Sequence, residues 1–370
     1  MKKTIISLAV AAGMAASGAA LAEATVYGVM HVSIDSPDTG TVKTTPDISI
    51  PSPVYTDVQN LDSMSMNNQT SAIGVKGSED LGDGMKAFYK AEFQVDITEG
   101  GALTGRDQYI GLKGGMGTVK FGTMSSNYKQ KGGSIDPMYR TALEGRGALA
   151  MQSPLHGGKG RFGGRMTDTL QYASPKMGGM QLVVNTTFDA ANTSDPAAAI
   201  DIDETMGVGF RYEAKSYSFY FDMIDVSGED TPTTQWSESA TKIGGTFETG
   251  PVKLGIQLEQ TEDLLGSDYM QFTADYSIDK NNAIYFAYGT RGDILFNDGV
   301  TTESLSDTGS QSFALMYNHN MSKNTNVYVG YGSRSDDQYT VDDINAALAG
   351  NPVTVSDGYT VLTAGMRVKF

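Results

Sequence analysis

Apolar and polar residues alternate along most of the chain with the period of two that is typical of β-strands. In residues 30–35 every second residue is apolar, and the residues between them are polar. Residues 217–222 and 362–370 alternate in the same way between apolar positions and polar or small ones. This pattern predicts strands that present one face to an apolar environment and the other to a polar one.

About sixteen such segments occur, each roughly 7–13 residues long, which is near the length of a tilted strand that spans a membrane. The strands are predicted to begin near Thr25, Ser71, Met85, Asp107, Gly117, Met166, Met180, Met206, Ser216, Glu238, Val252, Asp268, Asn282, Ser310, Thr325 and Gly358.

The connections between these segments alternate in length. Short ones, such as 114–116 and 250–251, are followed by longer polar stretches, such as 36–70 and 123–164. A soluble β-sandwich would also show alternation, but with fewer strands and without this rhythm. The sequence therefore predicts an all-β fold, a transmembrane antiparallel β-barrel with short periplasmic turns and long extracellular loops.

The first 22 residues have the three parts of a secretory signal peptide. Lys2 and Lys3 are followed by an apolar stretch at 5–16 and by the small residues Ala20 and Ala22. We therefore expect a signal peptide at 1–22 and a barrel domain at 23–370. After Glu23 no stretch approaches the ~18 apolar residues of a membrane-spanning helix, so a membrane protein of this sequence can only be a barrel.

Composition excludes several functions. The chain has no cysteine, which removes disulfides, thiolate metal sites and thiol nucleophiles. A formal charge of −16 argues against nucleic-acid binding, which needs a basic surface. His31, His156 and His319 are far apart, and the chain has no nucleophile elbow or zinc-helix motif, so catalysis has little support. We expect His31 to point into water inside the barrel.

Four segments together resemble the general porins of Gram-negative outer membranes. Residues 71–82 resemble the second strand and first turn of that family, 106–122 its fourth-to-fifth hairpin, and 165–175 the strand after its third loop. The terminal Phe370 on an alternating strand resembles the aromatic residue that the barrel-assembly machinery reads. Family members often carry an arginine at the position of Ala72, so one position of the family's basic cluster is empty here.

The resemblance implies a sixteen-stranded barrel, usually a homotrimer, in the outer membrane among lipid and lipopolysaccharide. It implies that the third loop, 123–164, folds into the lumen and narrows the pore. It also implies passive diffusion of small hydrophilic solutes and no cofactor.

The segment from Thr123 to Arg165 carries seven basic and two acidic residues in an acidic chain. We expect a constriction in which basic wall residues face the acidic residues of the loop, since opposed charges orient dipolar solutes and basic rings favour anions. For Arg140 and Arg146 a place on the loop's exterior is equally open, and for Lys129 and Lys131 the exterior is preferred. The predicted pore residues are Arg106, Arg161, Arg165, Asp136, Glu144, Arg140 and Arg146.

Acidic residues concentrate in the other long loops, near 201–204, 293–307 and 336–343. Such oxygen-rich loops can hold Ca²⁺ or Mg²⁺ weakly, but their spacing matches no closed calcium loop, and a solvated negative rim is preferred. Because an electric field is focused most strongly at a narrow constriction, we expect weak anion preference despite this rim.

Aromatic residues at strand ends are predicted to form the girdles that straddle the membrane interfaces. Tyr139 is the one candidate for a solute-stacking position inside the pore. The predicted girdle residues are Tyr109, Phe121, Tyr172, Phe188, Tyr276, Tyr288 and Phe370.

The sequence leaves several functions open. A weakly anion-preferring diffusion channel is preferred. A substrate-specific porin for anionic metabolites would differ, because its ligand would bind saturably and block the current. An adhesive or structural barrel with a plugged lumen would not conduct, and an outer-membrane enzyme is the weakest alternative.

Overall fold

The computed structural model describes residues 24–38, 42–45, 56–57, 63–153, 165–188, 204–231, 234–262, 268–297, 302–305, 309–336, 353–356 and 358–370. The predicted signal peptide, 1–22, lies outside this part of the chain.

Within the described residues, sixteen strands form one closed antiparallel barrel. They are β1 (Thr25–Asp38), β2 in two segments (Ser65–Asn68 and Ala72–Gly82), β3 (Met85–Gln94), β4 (Thr104–Gly114), β5 (Gly117–Met124), β6 (Met166–Ala173), β7 (Met180–Thr187), β8 (Glu204–Glu213), β9 (Tyr217–Thr231), β10 (Thr234–Thr249), β11 (Val252–Glu262), β12 (Asp268–Ser277), β13 (Asn282–Arg291), β14 (Ser310–Asn320), β15 (Thr325–Asp336) and β16 (Tyr359–Lys369).

The barrel closes where β1 pairs with β16, in a register that sets His31 opposite Arg367. The backbones of Gly28 and Phe370 extend this pairing with two hydrogen bonds, of 3.0 and 3.1 Å. The sequence prediction of an all-β barrel of about sixteen strands is confirmed.

Most strands begin within three residues of the predicted position, and β2 differs most. Its outer segment, Ser65–Asn68, was not predicted. The two segments are separated by Thr70, whose φ of 64° lies in the left-handed region. The Asn68 side chain accepts a hydrogen bond from the backbone N–H of Ser71 at 3.2 Å, which holds the break in place.

The alternation of the sequence becomes an outer and an inner surface. On β9, Phe219 and Phe221 are exposed on the outside, whereas Tyr220 and Asp222 are buried on the inside. Five of the predicted girdle residues are exposed in this way, and they are Phe121, Tyr172, Phe188, Tyr276 and Phe370. Tyr109 is an exception, because its ring lies on the inner wall near Phe88.

Several rings lie across glycines of the neighbouring strand, each at the position directly opposite in the pairing register. A side chain at Gly74 would collide with Tyr27, and one at Gly111 would collide with Phe88. The same relation joins Gly244 with Tyr220, Gly365 with Tyr328, and Gly77 with Tyr89. Glycine therefore provides the space in which these rings lie flat along the wall.

Helix α1 (Asn127–Ile135) lies between β5 and β6, and the Ser126 hydroxyl caps it by accepting a hydrogen bond from the Lys129 N–H at 3.1 Å. No described helix is long and apolar enough to cross a membrane. Outside the barrel, Val42–Thr45 pairs with Thr56–Asp57 and Val353–Ser356, and Ile294–Asn297 pairs with Thr302–Leu305.

Candidate functional site

The first part of the 123–164 segment is held against the inner wall by polar contacts. The Asn127 amide donates to the Asp222 carboxylate of β9 at 2.8 Å. The Tyr128 hydroxyl donates to the Glu259 carboxylate of β11 at 2.8 Å, and the Lys242 ammonium lies 3.7 Å from the centre of the Tyr128 ring. These contacts are buried, so water competes with them little.

The next part of the segment is held by apolar packing. Met138, Leu143, Leu149 and Met151 are fully buried in one cluster. The wall beside them is built from small residues, since side chains at Gly330 or Gly332 would collide with Leu143. Ala287 and Ala314 complete this dry contact on β13 and β14. The described part of the loop therefore contacts β6–β16, and it leaves the inner face of β1–β5 uncovered.

A cavity of about 400 Å³ lies between the loop and this uncovered wall. The loop contributes Tyr139 and Arg140 to its lining, and the wall contributes Glu92 and Arg367 among others. His31 also lines the cavity, but only 1 % of its surface is exposed, and its Nε2 is 2.9 Å from the Tyr328 hydroxyl. The expectation that His31 points into open water is therefore wrong.

A cluster of five charged side chains occupies the wall beside this cavity. Arg106 donates from Nε to Glu92 at 2.7 Å, and Arg165 donates from Nε to Asp107 at 2.6 Å. The Lys90 ammonium contacts both carboxylates, at 3.1 Å from Glu92 and 2.8 Å from Asp107. Three cations and two anions leave the cluster with a net positive charge.

A β-bulge in β4 produces this arrangement. Ala91 pairs with Gln108 and Phe93 with Gly105, so Glu92 alone faces two residues of β4. Those two residues are Arg106 and Asp107, and the bulge turns both toward the inside. Simple alternation would have placed one of them on the lipid-facing side.

The predicted opposition of wall arginines and loop acids is absent from the described residues. Asp136 is 4 % exposed, and its carboxylate accepts the backbone N–H groups of Met138 at 2.9 Å and Gly145 at 2.7 Å. Burial, and next the negative charge of Glu144, raise the pKa of Asp136 to about 6. Asp136 therefore braces the loop and does not face Arg106 or Arg165.

Glu144 is also used within the loop. Its carboxylate accepts the Arg140 N–H at 2.7 Å and pairs with the Arg146 guanidinium at 2.9 Å. The Arg146 guanidinium lies 4.4 Å from the centre of the Tyr139 ring, and that of Arg140 lies 5.3 Å from it. Arg146 is thus neutralised inside the loop, whereas Arg140 faces the cavity. Arg161 lies outside the described residues.

The sequence prediction preferred the loop's exterior for both lysines of α1, but neither lies there. Lys131 forms an ion pair of 3.0 Å with Glu213, at the short-turn end of β8. Burial, and next the positive charges of Arg146, Arg165 and Arg106, lower the pKa of Lys129 to about 7. The shift in the pKa of Lys129 therefore reflects first the burial of its ammonium and then the cations around it.

Sequence reasoning missed Lys90, Glu92 and Asp107 as members of the charged cluster, and Arg367 as a residue that lines the cavity. The polar residues at alternate positions of β3, Lys90, Glu92 and Gln94, were the available signal, because they mark one face as charged. No group of three or more potential metal ligands occurs among the described residues.

A closed sixteen-stranded barrel with an apolar outer face, a charged inner wall and an inner loop defines a class, the outer-membrane channel proteins. The family model of the Gram-negative porins matches residues 8–339. The chain therefore belongs to the Gram-negative porin family. Its members are channel proteins of the outer membrane and not enzymes, and this protein is accordingly an outer-membrane channel.

Similar proteins support this membership. An outer membrane porin protein of Bordetella pertussis is 26 % identical over 290 residues, covering 71 % of this chain and 70 % of the relative. The major outer membrane protein P.IB of Neisseria gonorrhoeae is 30 % identical over 147 residues, covering 37 % of this chain and 36 % of the relative. The anion-selective porin from Comamonas acidovorans superposes with a TM-score of 0.70 at 18 % identity, covering 94 % of this chain and all of that one.

Proposed function

We propose that this porin is a water-filled channel for the passive diffusion of ions and small hydrophilic solutes, and that it prefers anions. The single observation that carries the proposal is the cavity between loop and wall, which has cations on both sides. Arg140 lines it from the loop and Arg367 from the wall, while Asp136 and Glu144 are turned into the loop. Fixed positive charge at a narrow place favours anions.

The charge pattern differs from that of a channel with opposed acidic and basic walls. The carboxylates that remain near the cavity, Glu92 and Asp107, lie on the same wall as their cationic partners. They reduce the positive charge of that wall without creating a negative side. We therefore propose an anion preference rather than a strong orienting field. The anion-selective porin from Comamonas acidovorans, which has the same fold, is consistent with this proposal.

We also propose that the protein is a homotrimer whose remaining outer surface contacts lipid and lipopolysaccharide. A Vibrio cholerae outer membrane protein with a similar fold has been described in a trimer form, with a TM-score of 0.62 at 12 % identity. The exposed, outward-facing ring of Phe370 supports the proposal that the barrel-assembly machinery recognises this strand. Cross-linking in native outer membranes tests the trimer.

The decisive experiment is the reversal potential of the refolded protein in a planar bilayer under a KCl gradient. We expect reversal toward the chloride potential, and a shift toward potassium in Arg140→Gln/Arg367→Gln. Lys280→Gln, an exposed turn residue, is a matched control that should leave reversal unchanged. Reversal toward potassium in the unaltered protein would overturn the anion preference. Absence of conductance would favour a plugged barrel, and saturating currents would favour a substrate-specific channel.

A further inference from the structure

Below the charged cluster, toward the short turns, the inner wall carries flat aromatic rings. Tyr27 lies across Gly74 and Phe88 lies across Gly111. Phe88 also meets Tyr109 edge to face, with 6.2 Å between ring centres and an angle of 81° between planes. We call Tyr27, Phe88 and Tyr109 the aromatic floor. Because glycines lie beneath two of the rings, these can lie along the wall instead of standing out from it.

Lysine ammonium groups lie over this floor. Lys76 and Lys90 lie 5.1 and 5.9 Å from the centre of the Tyr27 ring, and Lys120 lies 5.3 Å from that of Tyr109. Lys76 and Lys90 are also direct partners across β2 and β3, a position in which like charges repel. Cations held over ring faces in this way gain some attraction from the rings.

The three lysines differ in their ionic partners. Lys90 is neutralised by Asp107 and Glu92. In the described part of the chain, neither Lys76 nor Lys120 has an ion pair with a carboxylate. Lys76 and Lys120 therefore carry positive charge that no carboxylate of the described residues balances at ion-pair distance, and a passing anion can balance it.

A cavity of about 340 Å³ opens over this region. Lys76, Phe88 and Tyr109 are among its lining residues, and hydroxyl groups come from Thr25 and Ser78. This volume lies within the range of small-molecule sites, at the size of a single-ring compound. Hydroxyl and ammonium groups recognise an oxyanion, whereas the Phe88 and Tyr109 rings contact a planar apolar body.

We propose that this floor is a binding subsite for small aromatic carboxylates, through which the channel takes up anions that carry one planar ring. The subsite rests on the proposed function, because its ligand must reach it through an anion-conducting lumen. It shares Lys90 with the charged cluster, but it lies apart from Arg106 and Arg165, whose cations already have carboxylate partners. The carboxylate contacts the ammonium of Lys76, which lines the cavity, and the ring lies on Phe88 and Tyr109. Lys120 is not a lining residue, and it adds positive charge from its position over the Tyr109 ring.

The test measures block of the chloride current by three probes in a planar bilayer. Benzoate carries both the ring and the charge, cyclohexanecarboxylate carries the charge on a non-aromatic ring, and benzyl alcohol carries the aromatic ring without a charge. We expect saturable block by benzoate at a concentration about fivefold lower than for cyclohexanecarboxylate, and no block by benzyl alcohol at either concentration.

Variants separate the two parts of the site. Lys76→Gln/Lys120→Gln should raise the half-blocking benzoate concentration about tenfold, whereas Phe88→Leu should remove only the difference between benzoate and cyclohexanecarboxylate. Lys113→Gln is the control, since it removes an exposed cation of β4 that neither lines the cavity nor lies over a ring of the aromatic floor. Equal block by the two carboxylates, or equal effects of the control and the double variant, would overturn the proposal.

A second readout does not depend on conduction. Saturation-transfer NMR on the refolded protein in micelles should show benzoate ring protons in contact with the wild type and not with the lysine double variant. If reversal follows chloride but benzoate neither blocks nor binds, the subsite is wrong and the anion channel stands. If benzoate binds but reversal follows potassium, the anion preference fails, and the subsite stands as a binding site without its role in uptake. Equal block by a neutral sugar would overturn the assignment to anions.

Discussion

Two arcs of the same inner wall differ in what they do. The loop-bearing arc, β6–β16, carries small residues such as Ala314 on β14 and Gly330 on β15, together with buried polar partners of the loop such as Asp222. The open arc, β1–β5, carries long charged side chains such as Lys90 and Arg106. Both arcs are built from antiparallel strands whose residues alternate between inside and outside, apart from local irregularities such as the bulge in β4 and the break in β2. The size and charge of the inward residues therefore decide where a loop can dock and where water remains.

The largest effect is expected from breaking the dry contact of the loop-bearing arc. Leu143→Asp places a carboxylate in a fully buried apolar cluster, and an unpaired buried charge is strongly unfavourable. We expect the loop to leave the wall, with a severalfold rise in single-channel conductance and weaker ion selectivity. Ser134→Asp, which adds the same charge at an exposed position of α1, should change neither. Unaltered conductance in Leu143→Asp would show that this contact does not hold the loop.

Removing a carboxylate from the open arc tests its charge balance. Glu92→Gln deprives Arg106 and Lys90 of a shared partner, and a hydrogen bond to a charged group contributes about 1.5–3 kcal/mol. We expect the reversal potential to move further toward chloride and the thermal midpoint to fall. Glu79→Gln, exposed on β2, is the control. A shift of the reversal potential toward potassium in Glu92→Gln would contradict this charge balance of the open arc.

The buried Asp136 predicts a pH dependence of the loop. Its pKa in the folded protein, about 6, exceeds the ordinary value of 3.8. The stability that the protonated Asp136 carboxyl contributes is therefore fully present below pH 3.8, and it is lost as the pH rises through about 6. We expect the thermal midpoint of the wild type, relative to that of Asp136→Asn, to fall between pH 4 and pH 7. A constant difference across this range would show that Asp136 titrates normally.

The smallest effect is expected at the ion pair of Lys131 with Glu213. Glu213 is well exposed, and pairs of this kind contribute about 0.2–1 kcal/mol. Lys131→Gln should therefore change the thermal midpoint by only a degree or two and leave conductance unchanged. A loss of selectivity in this variant would show that Lys131 also acts on permeating ions.

The strands could be predicted because a barrel wall separates lipid from water along its whole length. Each strand must then alternate, and some of the short connections are marked by glycine or proline, as at 250–251, whereas others, such as 278–281, contain neither. The break at Thr70 could not be predicted, because it depends on a left-handed backbone that a threonine rarely adopts.

The charged site could be predicted only in part. Arg106 and Arg165 were placed by resemblance, but Asp107 was missed because a bulge overrides the period of two. The loop acids were assigned to the wrong partners for another reason. Asp136 binds backbone N–H groups that come together only when the loop folds, and side-chain charge alone does not reveal such partners.

The rings that lie across glycines also determine the width of the barrel. A strand that slips by two residues keeps its apolar face outward, so alternation by itself does not exclude the slip. Such a slip would move Tyr328 away from Gly365 and set its ring against a neighbour that carries a side chain. Each ring therefore fits one stagger, and the stagger summed around a closed sheet, with the strand number, determines its diameter. The bore through which solutes pass is in this sense specified by a few glycines in the wall.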